Sequence, residues 1–501
     1  EIYDWRKLGG RVKVHKTVKA KYLWDLICTA AWRSAEPGLH FLERSNKRSN
    51  TWWFERLIAT NPCLTGDSLV ATRYGWKRVD AIKEGEEIAT VLGSGIVDRV
   101  ETYENKPVFK VLLSDGAELR ATAAHQFHAI KHADRAKNSA NKRFSPLSLA
   151  ELEVGDMMRI SPALMPENKV PGLPEGWGEK DYGFFMGILL GDGCITKKIL
   201  SRNVVKIAVN TSEKEWVSIV RKTLERTGSK TISLDAAAEG YSANLTMRGI
   251  NGTALMVRQS LLVPSYSFEK KIPLEYQNTN SRFLAGILDG LFSTDGNIDL
   301  SSTHPFLRFK TTSKELAINI RRILLCFGIH GRIMTIKKVA NGHIGDRVIV
   351  SKHQQYEIII SGAGMKVFAQ KIGISHPGKS ARLKKAQKEF ALTGNTWLAK
   401  ILSIEPDGIE KVYDLYEPIS DTWIAEGVVS RGCGEQPLGA WAVCNLGAMN
   451  LAAYVKNGKF DYENFGLDVR VALRLLDNVI DQTYYFFKEN EKCAKDIRRT
   501  G

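Results

Sequence analysis

What most constrains this chain is a change of texture that begins at one cysteine and is undone at another. Up to Pro62 the apolar residues recur at helical spacing. TVKAKYLWDLICTAAWRSAEPG puts Tyr22, Leu23, Leu26, Ile27 and Ala30 on a helical repeat, and Glu36-Pro37-Gly38 stops it. From Cys63 the sequence breaks into strand-like runs (DSLVATRYGWKRV, EEIATVL, VFKVLLSDG, AELRATAAHQFHAI) punctuated by Gly and Asp, the spacing of a compact all-β unit. A Pro/Gly-rich stretch at 166–180, PENKVPGLPEGWGEK, reads as a linker into a mixed α/β region over 181–390. β texture then returns in WLAKILSIEPDGIEKVYDLYEP and DTWIAEGVVSRG and ends at Cys433. After it, DVRVALRLLDNVIDQTYYFFKEN is helical again. Such an order predicts nesting: outer helical pieces, a split β unit inside them, and an α/β domain innermost.

The innermost region repeats itself. YGFFMGILLGDG (182–193) and FLAGILDGLFSTDG (283–296) are apolar, glycine-dotted helices ending in Asp-Gly. Each is followed by strands and then a charged amphipathic helix (SEKEWVSIVRKTLERTG, SKELAINIRRILLCFGI). Gly183, Gly187 and Gly191 in the first copy, and Ala285, Gly286 and Gly290 in the second, let two helix backbones approach closely. If they pack, their terminal Asp192 and Asp295 come together. Paired carboxylates under a basic surface suit Mg²⁺-dependent phosphodiester cleavage.

Charge supports a polyanionic partner for this region. Of a net +16, residues 301–400 hold +14, with 18 Lys/Arg against 4 acids. That concentration is the footprint of a phosphate-backbone binder. The 7 cysteines (28, 63, 194, 326, 433, 444, 493) show no CxxC pair, which argues against a disulfide scaffold and for a reducing cytoplasm. No apolar run is long enough to span a membrane. Cys28, Cys194, Cys326 and Cys493 read as small buried hydrophobes, and His128, His304 and His343 lack metal-ligand company. Both chain ends, EIYDWRKLGG and KDIRRTG, read as cuts within a longer protein.

Cys63 can attack the carbonyl before it, turning the Pro62–Cys63 amide into a thioester. That needs a strained amide, an oxyanion donor and an imidazole near the leaving nitrogen. Thr122 and His125, in RATAAHQF, place a hydroxyl and an imidazole three residues apart, a common spacing by itself. The combination is specific. CLTGDSLV followed by that T-x-x-H resembles the first two splicing blocks of an intein, and VYDLYEPISDTWIAEGVVSRGC resembles the last two. The resemblance implies the all-β splicing fold shared with hedgehog autoprocessing domains. In it Cys63 is the first nucleophile, Thr122 and His125 assist the acyl shift, Asp414 is the aspartate of the penultimate block, and Cys433 takes the thioester. The intein would occupy 63–432. Inteins usually end His-Asn, and the Asn cyclises to release the insert. Here Arg431-Gly432 stand at the end, and the block's other His position holds Asp421 or Thr422. Either a variant release operates, or the step is lost and the insert acts only as an endonuclease or DNA-binding element.

The duplicated helices resemble the two LAGLIDADG motifs of a homing endonuclease. The resemblance implies a pseudo-two-fold α/β domain at 166–395, β-saddles on double-stranded DNA, Mg²⁺ held by Asp192 and Asp295, and a basic residue, Lys271, beside the cut phosphate. The splicing domain is then split into 63–165 and 396–432.

Joining residue 62 to 433 gives ATNPCGEQPLGAWAVCNLGAMNL, which resembles ribonucleotide reductase large chains, most closely the adenosylcobalamin-dependent class. The flanks 1–62 and 433–501 would be helical pieces of that α/β barrel. The resemblance implies a ribonucleotide substrate, a thiol reductant and a cobalamin whose site is not identifiable in these residues. It makes Cys433 the thiyl radical, Asn61 and Glu435 its flanking hydrogen-bonding and proton-shuttling partners, and Cys444 one of the reducing pair.

Overall fold

A computed structural model of the protein describes residues 63–132, 144–194, 204–228, 231–236, 242–248, 266–301, 303–336, 342–344, 347–349, 353–394, 397–431, 449–456 and 458–483, with 21, 25, 485, 488, 491, 492, 494 and 495. The chain divides into two compact units. One is Glu1–Asn61 with Gly434–Gly501, and the other is Pro62–Cys433.

In the first unit the described residues include one long helix, Tyr462–Gln482, started by the Asp461 side chain accepting from the Asn464 N–H. Its apolar residues Leu467, Val471, Leu475 and Val479 are exposed.

The second unit is built on a 13-stranded antiparallel network that joins strands remote in sequence. Its spine is a pair of long strands, Arg99–Leu113 and Leu398–Tyr416, running side by side with register shifts near Ile401, Pro406 and Glu410. Shifts of this kind bend and twist long ribbons, which lets them wrap a core instead of lying flat. Leu64–Thr65 adds to Leu398–Tyr416, and Met157–Arg159 pairs with both Leu398–Tyr416 and Gln126–Ile130. A single apolar core built around Trp76, Phe127 and Trp423 therefore draws on residues from both sides of the α/β region.

That α/β region repeats one plan twice: helix, two strands, helix, two strands. The helices are α1 (Glu179–Asp192), α2 (Lys214–Glu225), α3 (Leu274–Gln277), α4 (Ser281–Asp295), α5 (Lys314–Cys326), α6 (Ala363–Lys371) and α7 (Pro377–Glu389). Each half carries a four-stranded antiparallel sheet, Gly193–Cys194/Val204–Asn210/Ser242–Arg248/Thr231–Ala236 and Gly296–Asp299/Phe306–Thr311/Gln355–Ser361/Arg332–Ile336. The spatial order is the same in both, first-second-fourth-third along the main path of the chain. The helix starts are set locally. Asn280 caps α4 through the Arg282 and Phe283 N–H groups, Ser313 caps α5, and His376 with Pro377 opens α7.

The two glycine-dotted helices, α1 and α4, pack directly on each other. A Cβ on Gly183 or Gly187 would collide with the Phe283 or Ile287 carbonyl, and one on Gly290 would lie 2.5 Å from the Phe184 carbonyl. The expected linker at 166–180 is tied down. The Asn168 amide donates to the Tyr74 and Asn278 carbonyls, and Asn278 in turn bonds both backbone groups of Trp76. No described helix is long and apolar enough to cross a membrane.

Candidate functional site

The β unit brings the residues on either side of its sequence gap to one stretch, 122–126. Cys63 is fully buried at the start of the first strand. Its N–H, the nitrogen of the Pro62–Cys63 amide, donates to Thr122 Oγ1 at 3.3 Å, and the Thr122 N–H donates to the Cys63 carbonyl at 3.0 Å. The next turn, closed by the His125 N–H on the Thr122 carbonyl (3.1 Å), carries the imidazole. From the far end of the sequence, Val428–Arg431 arrives antiparallel to Gln126–Ile130, with Ser430 opposite Phe127 and Arg431 opposite Gln126.

His125 is enclosed by Phe127 (ring centroids 4.6 Å, edge-on) and Trp423 (5.9 Å), and neither ring nitrogen has a hydrogen-bond partner. Burial pushes its pKa down to about 3, so the ring is neutral near pH 7, with one nitrogen able to donate and the other to accept. Buried polar atoms are nearly always satisfied, so two orphaned nitrogens on one ring set His125 apart from an ordinary core residue.

Asp414 lies on Leu398–Tyr416, in register with Glu101 and one residue beyond Tyr413, which pairs with Leu64. Burial, helped by the Glu101 and Asp421 charges, pushes its pKa far above the usual carboxylate range, and Oδ1 has no partner. Tyr103 packs against Cys63, lies within electrostatic reach of both Cys63 and Asp414, and donates its hydroxyl to Glu101 Oε2 at 2.6 Å. Neither Tyr103 nor Glu101 is legible in the sequence, since a Tyr and a Glu on a polar strand carry no motif. Asp421, at φ 51°, bonds the Arg431 guanidinium (3.2 Å). Asn61, Gly432, Cys433, Glu435 and Cys444 lie outside the described residues.

The second constellation lies where α1 and α4 end. A Cβ on Gly191 would run into the Thr294 side chain, so the two helix ends meet closely and set Asp192 and Asp295 side by side. Burial and the Asp295 charge push Asp192 up to about 7, against the pull of Lys379 and Lys270. Burial raises Asp295 as well, against the same two lysines, although this residue keeps an exposed edge. Asp295, Gly191 and Lys270 help line a cleft of about 250 Å³. Two carboxylates side by side, Asp295 on the cleft and Asp192 behind it, suit Mg²⁺, which is bound by one or two carboxylates with waters and substrate phosphates. No cluster of three or more metal-ligating side chains occurs among the described residues.

The basic residue beside the acids is Lys270 and not the expected Lys271. Lys271 is exposed, whereas Lys270 sends its ammonium to the Gly191 carbonyl at 2.5 Å. The adjacent Ile272 is buried, so the chain turns Lys270 toward the helix ends and Lys271 outward. A second ammonium, Lys379, has no sequence motif to announce it. It donates to the Ser293 carbonyl at 2.8 Å and lies among Asp192, Asp295 and Glu213, while burial lowers its own pKa. It is delivered by the Ser375-His376 turn, locked to α4 because Asp289 accepts from the Ser375 N–H (2.6 Å) and hydroxyl (2.6 Å).

The basic stretch 301–400 also divides. Lys310, Arg332, Arg382, Lys384, Lys385 and Lys388 are exposed, while Arg321 and Arg322 are turned inward onto the β unit. Only part of the +14 is therefore available to a polyanion.

Residues 3–501 match the family of ribonucleotide reductase barrel domains. The chain is similar to the ribonucleoside-diphosphate reductase NrdEB subunit alpha of Bacillus subtilis, 23% identical over 96% of this chain and 47% of that protein. A vitamin B12-dependent ribonucleoside-diphosphate reductase of Mycobacterium tuberculosis is 41% identical over 69 residues, 14% of this chain and 10% of that one. Among solved structures, a variant of the homing endonuclease I-DmoI aligns over 41% of this chain and 98% of its own (17% identity, TM-score 0.29). The gp41-1 intein aligns over 20% and 70% (19% identity, TM-score 0.17). This chain spans just under half the length of the curated reductases it matches over nearly its whole extent.

Proposed function

The chain belongs to the ribonucleotide reductase barrel-domain family, and from that premise we propose that residues 63–432 are an intein lodged in its active-site loop and carrying a homing endonuclease. One observation carries the reading: Cys63 and Arg431, 368 positions apart, converge on 122–126.

In the first step Cys63 Sγ attacks the Pro62 carbonyl carbon. The new S–C bond replaces the C–N bond, the thiol proton leaves Sγ, and the released Cys63 nitrogen takes one up. Thr122 Oγ1 holds that nitrogen through its N–H, and neutral His125 would take the thiol proton on one ring nitrogen as it gives the proton of the other to the departing nitrogen. Cys433 would then take the acyl group by thioester exchange. Release by asparagine cyclisation is closed, because Gly432 has no side chain to cyclise.

In the α/β region Asp192 and Asp295 would hold Mg²⁺, which supplies charge stabilisation at a scissile phosphate. Lys270 and Lys379 supply fixed positive charge beside it, and the exposed arginines and lysines engage the DNA backbone. After splicing, Asn61, Cys433, Glu435 and Cys444 would form the thiyl-radical site of a cobalamin-dependent reductase acting on ribonucleotides.

The test is incubation of the full 501-residue chain with and without a small thiol. Thiol-dependent release of residues 1–62 supports the acyl shift, and a ligated 1–62/433–501 product would show that release proceeds despite Gly432. No release in either condition favours a second reading, which Gly432 specifically supports: a splicing-dead insert that acts on DNA. Mg²⁺-dependent cleavage of DNA encoding the uninterrupted junction then tests that alternative.

A further inference from the structure

Within the described residues, a buried cluster around Arg321 ties the α/β region to the β unit. We propose that Arg321 is a positioning residue for the self-processing chemistry. On this reading the inserted α/β region completes the splicing site by clamping together the two hairpins that carry it. The inference rests on the self-processing reading above.

The two hairpins are Arg99–Leu113 with Glu118–Ala121, turning at Asp115, and Thr422–Ala425 with Val428–Arg431, turning at Glu426-Gly427. The outgoing strand of the first leads straight to Thr122 and His125. That of the second ends at Arg431. Arg321, 1% exposed on α5, reaches both turns: Nε donates to Asp115 Oδ2 at 3.0 Å, with Nη2 on the same oxygen, and Nη1 donates to the Glu426 carbonyl at 2.9 Å. One guanidinium from the insert thus joins the turn before the imidazole to the turn before the downstream junction.

Each turn is held on further sides. Asp115 also meets His330 Nε2 at 3.2 Å, its Oδ1 accepts from the Ala117 N–H at 3.1 Å, and its carbonyl accepts from the Ile333 N–H at 3.1 Å. Glu426 takes both arms of Arg322 (2.9 and 3.0 Å) and exchanges backbone and side-chain bonds with Leu69. Glu426 and Gly427 both have positive φ, 49° and 81°, as a two-residue hairpin turn requires. A Cβ on Gly427 would press on Leu325 at 2.5 Å and Arg321 at 3.2 Å, so the turn is shaped to α5. Leu325 and Cys326 of α5 are part of the β unit's own core.

Anchoring alone does not call for this arrangement. A buried ion pair contributes little net stability relative to apolar residues of the same volume. What an arginine adds is direction, because its planar fork fixes several acceptors at once. Direction matters here because a strand slipped by one residue turns every side chain to the other face. A misplacement of about 1 Å at a reacting centre costs on the order of a hundredfold in rate.

The experiment compares the full chain with Arg321→Gln, Arg321→Lys and the volume-matched apolar pair Arg321→Met/Asp115→Leu. It follows thiol-dependent release of residues 1–62 and hydrogen exchange of amides in 118–125 and 422–431. Expected for Arg321→Gln is release slowed by roughly tenfold or more and faster exchange in both hairpins, with protection of α1 and α4 unchanged. Arg321→Lys recovers only part of the rate, and the apolar pair folds as stably as the parent yet stays slow. Unchanged hairpin exchange in Arg321→Gln, or parental release from the apolar pair, overturns the clamp. A parent that releases nothing, with hairpins that still loosen in Arg321→Gln, removes the self-processing reading and leaves the clamp standing.

Discussion

The two candidate sites are opposites in how they treat water. The Cys63/His125/Asp414 site is sealed: imidazole and thiol are fully buried, the histidine is driven to its neutral form, and burial pushes the carboxyl's pKa up. The Asp192/Asp295 site is open, and its acids are offset by two ammonium groups lying on helix-end carbonyls. On the functions proposed above, the difference follows from where each substrate would come from. A peptide bond of the chain itself needs no entrance, so its site can be dry. A polyanion and a cation must enter from solvent, so their site cannot be.

If that contrast is right, the sites fail independently, and the largest effects test it. Cys63→Ala should abolish thiol-dependent release, and His125→Asn should slow it by about 10²–10⁴-fold, the range for a general acid–base group. Both should leave DNA cleavage intact. Asp192→Asn should reverse the pattern, removing Mg²⁺-dependent cleavage and leaving release at the parental rate. Gel assays of both reactions on each variant check this, and a variant that loses both activities while still folded would break the separation.

Next in size is packing. Gly187→Leu drives a side chain into the Ile287 carbonyl at the α1–α4 contact. Overpacking of this kind costs about 1–3 kcal/mol. Thermal unfolding should show the loss as a lowered Tm. Cleavage should fall with it, because the same contact sets the distance between the acids.

The nested order and the duplicated helices are readable because each rests on local pattern: the cysteines bracket changes of period, and small residues recur where backbones touch. Lys379, Tyr103 and the Asp115–Arg321 pair are not readable, because nothing local marks them. Arg321 meets Asp115 across 206 positions, and in the sequence it is one more charge in a basic stretch. Lys379 reaches the acids only because His376 and Pro377 start α7 at that point. Tyr103 meets Cys63 only once the two long strands have paired.

Smaller effects separate the sites by pH. Because Asp192 is held up to about 7, a divalent cation must displace a proton to bind there. Calorimetric titration with Mg²⁺ or Mn²⁺ should show proton release and an apparent affinity that rises with pH up to about 7, then levels off. Affinity independent of pH across that range would place the cation elsewhere.

The sealed site has a pH dependence of its own, and it is read in stability. His125 titrates at about 3 in the folded chain and near 6.5 once unfolded. Between those values the unfolded chain binds the extra proton. The share of stability from His125 is therefore complete above about pH 6.5 and declines as the pH falls toward about 3, by at most about 1.4 kcal/mol per pH unit. His128, held down to about 4 chiefly by burial, adds in the same direction, discounted for its partial exposure. Asp115 works differently: burial alone would raise its pKa, but Arg321 and His330 hold it below the usual range, so its share is lost only under stronger acid. Asp192, held up to about 7, binds its proton in the folded chain and so adds stability as the pH falls, against the histidines. From about pH 7 to about 5, across the unfolded imidazole's titration, the Tm of the parent should thus fall relative to that of His125→Gln, and Asp192→Asn should show a steeper fall than the parent. An equal slope in parent and His125→Gln would mean that the imidazole is not held neutral, and the dry site would lose its main support.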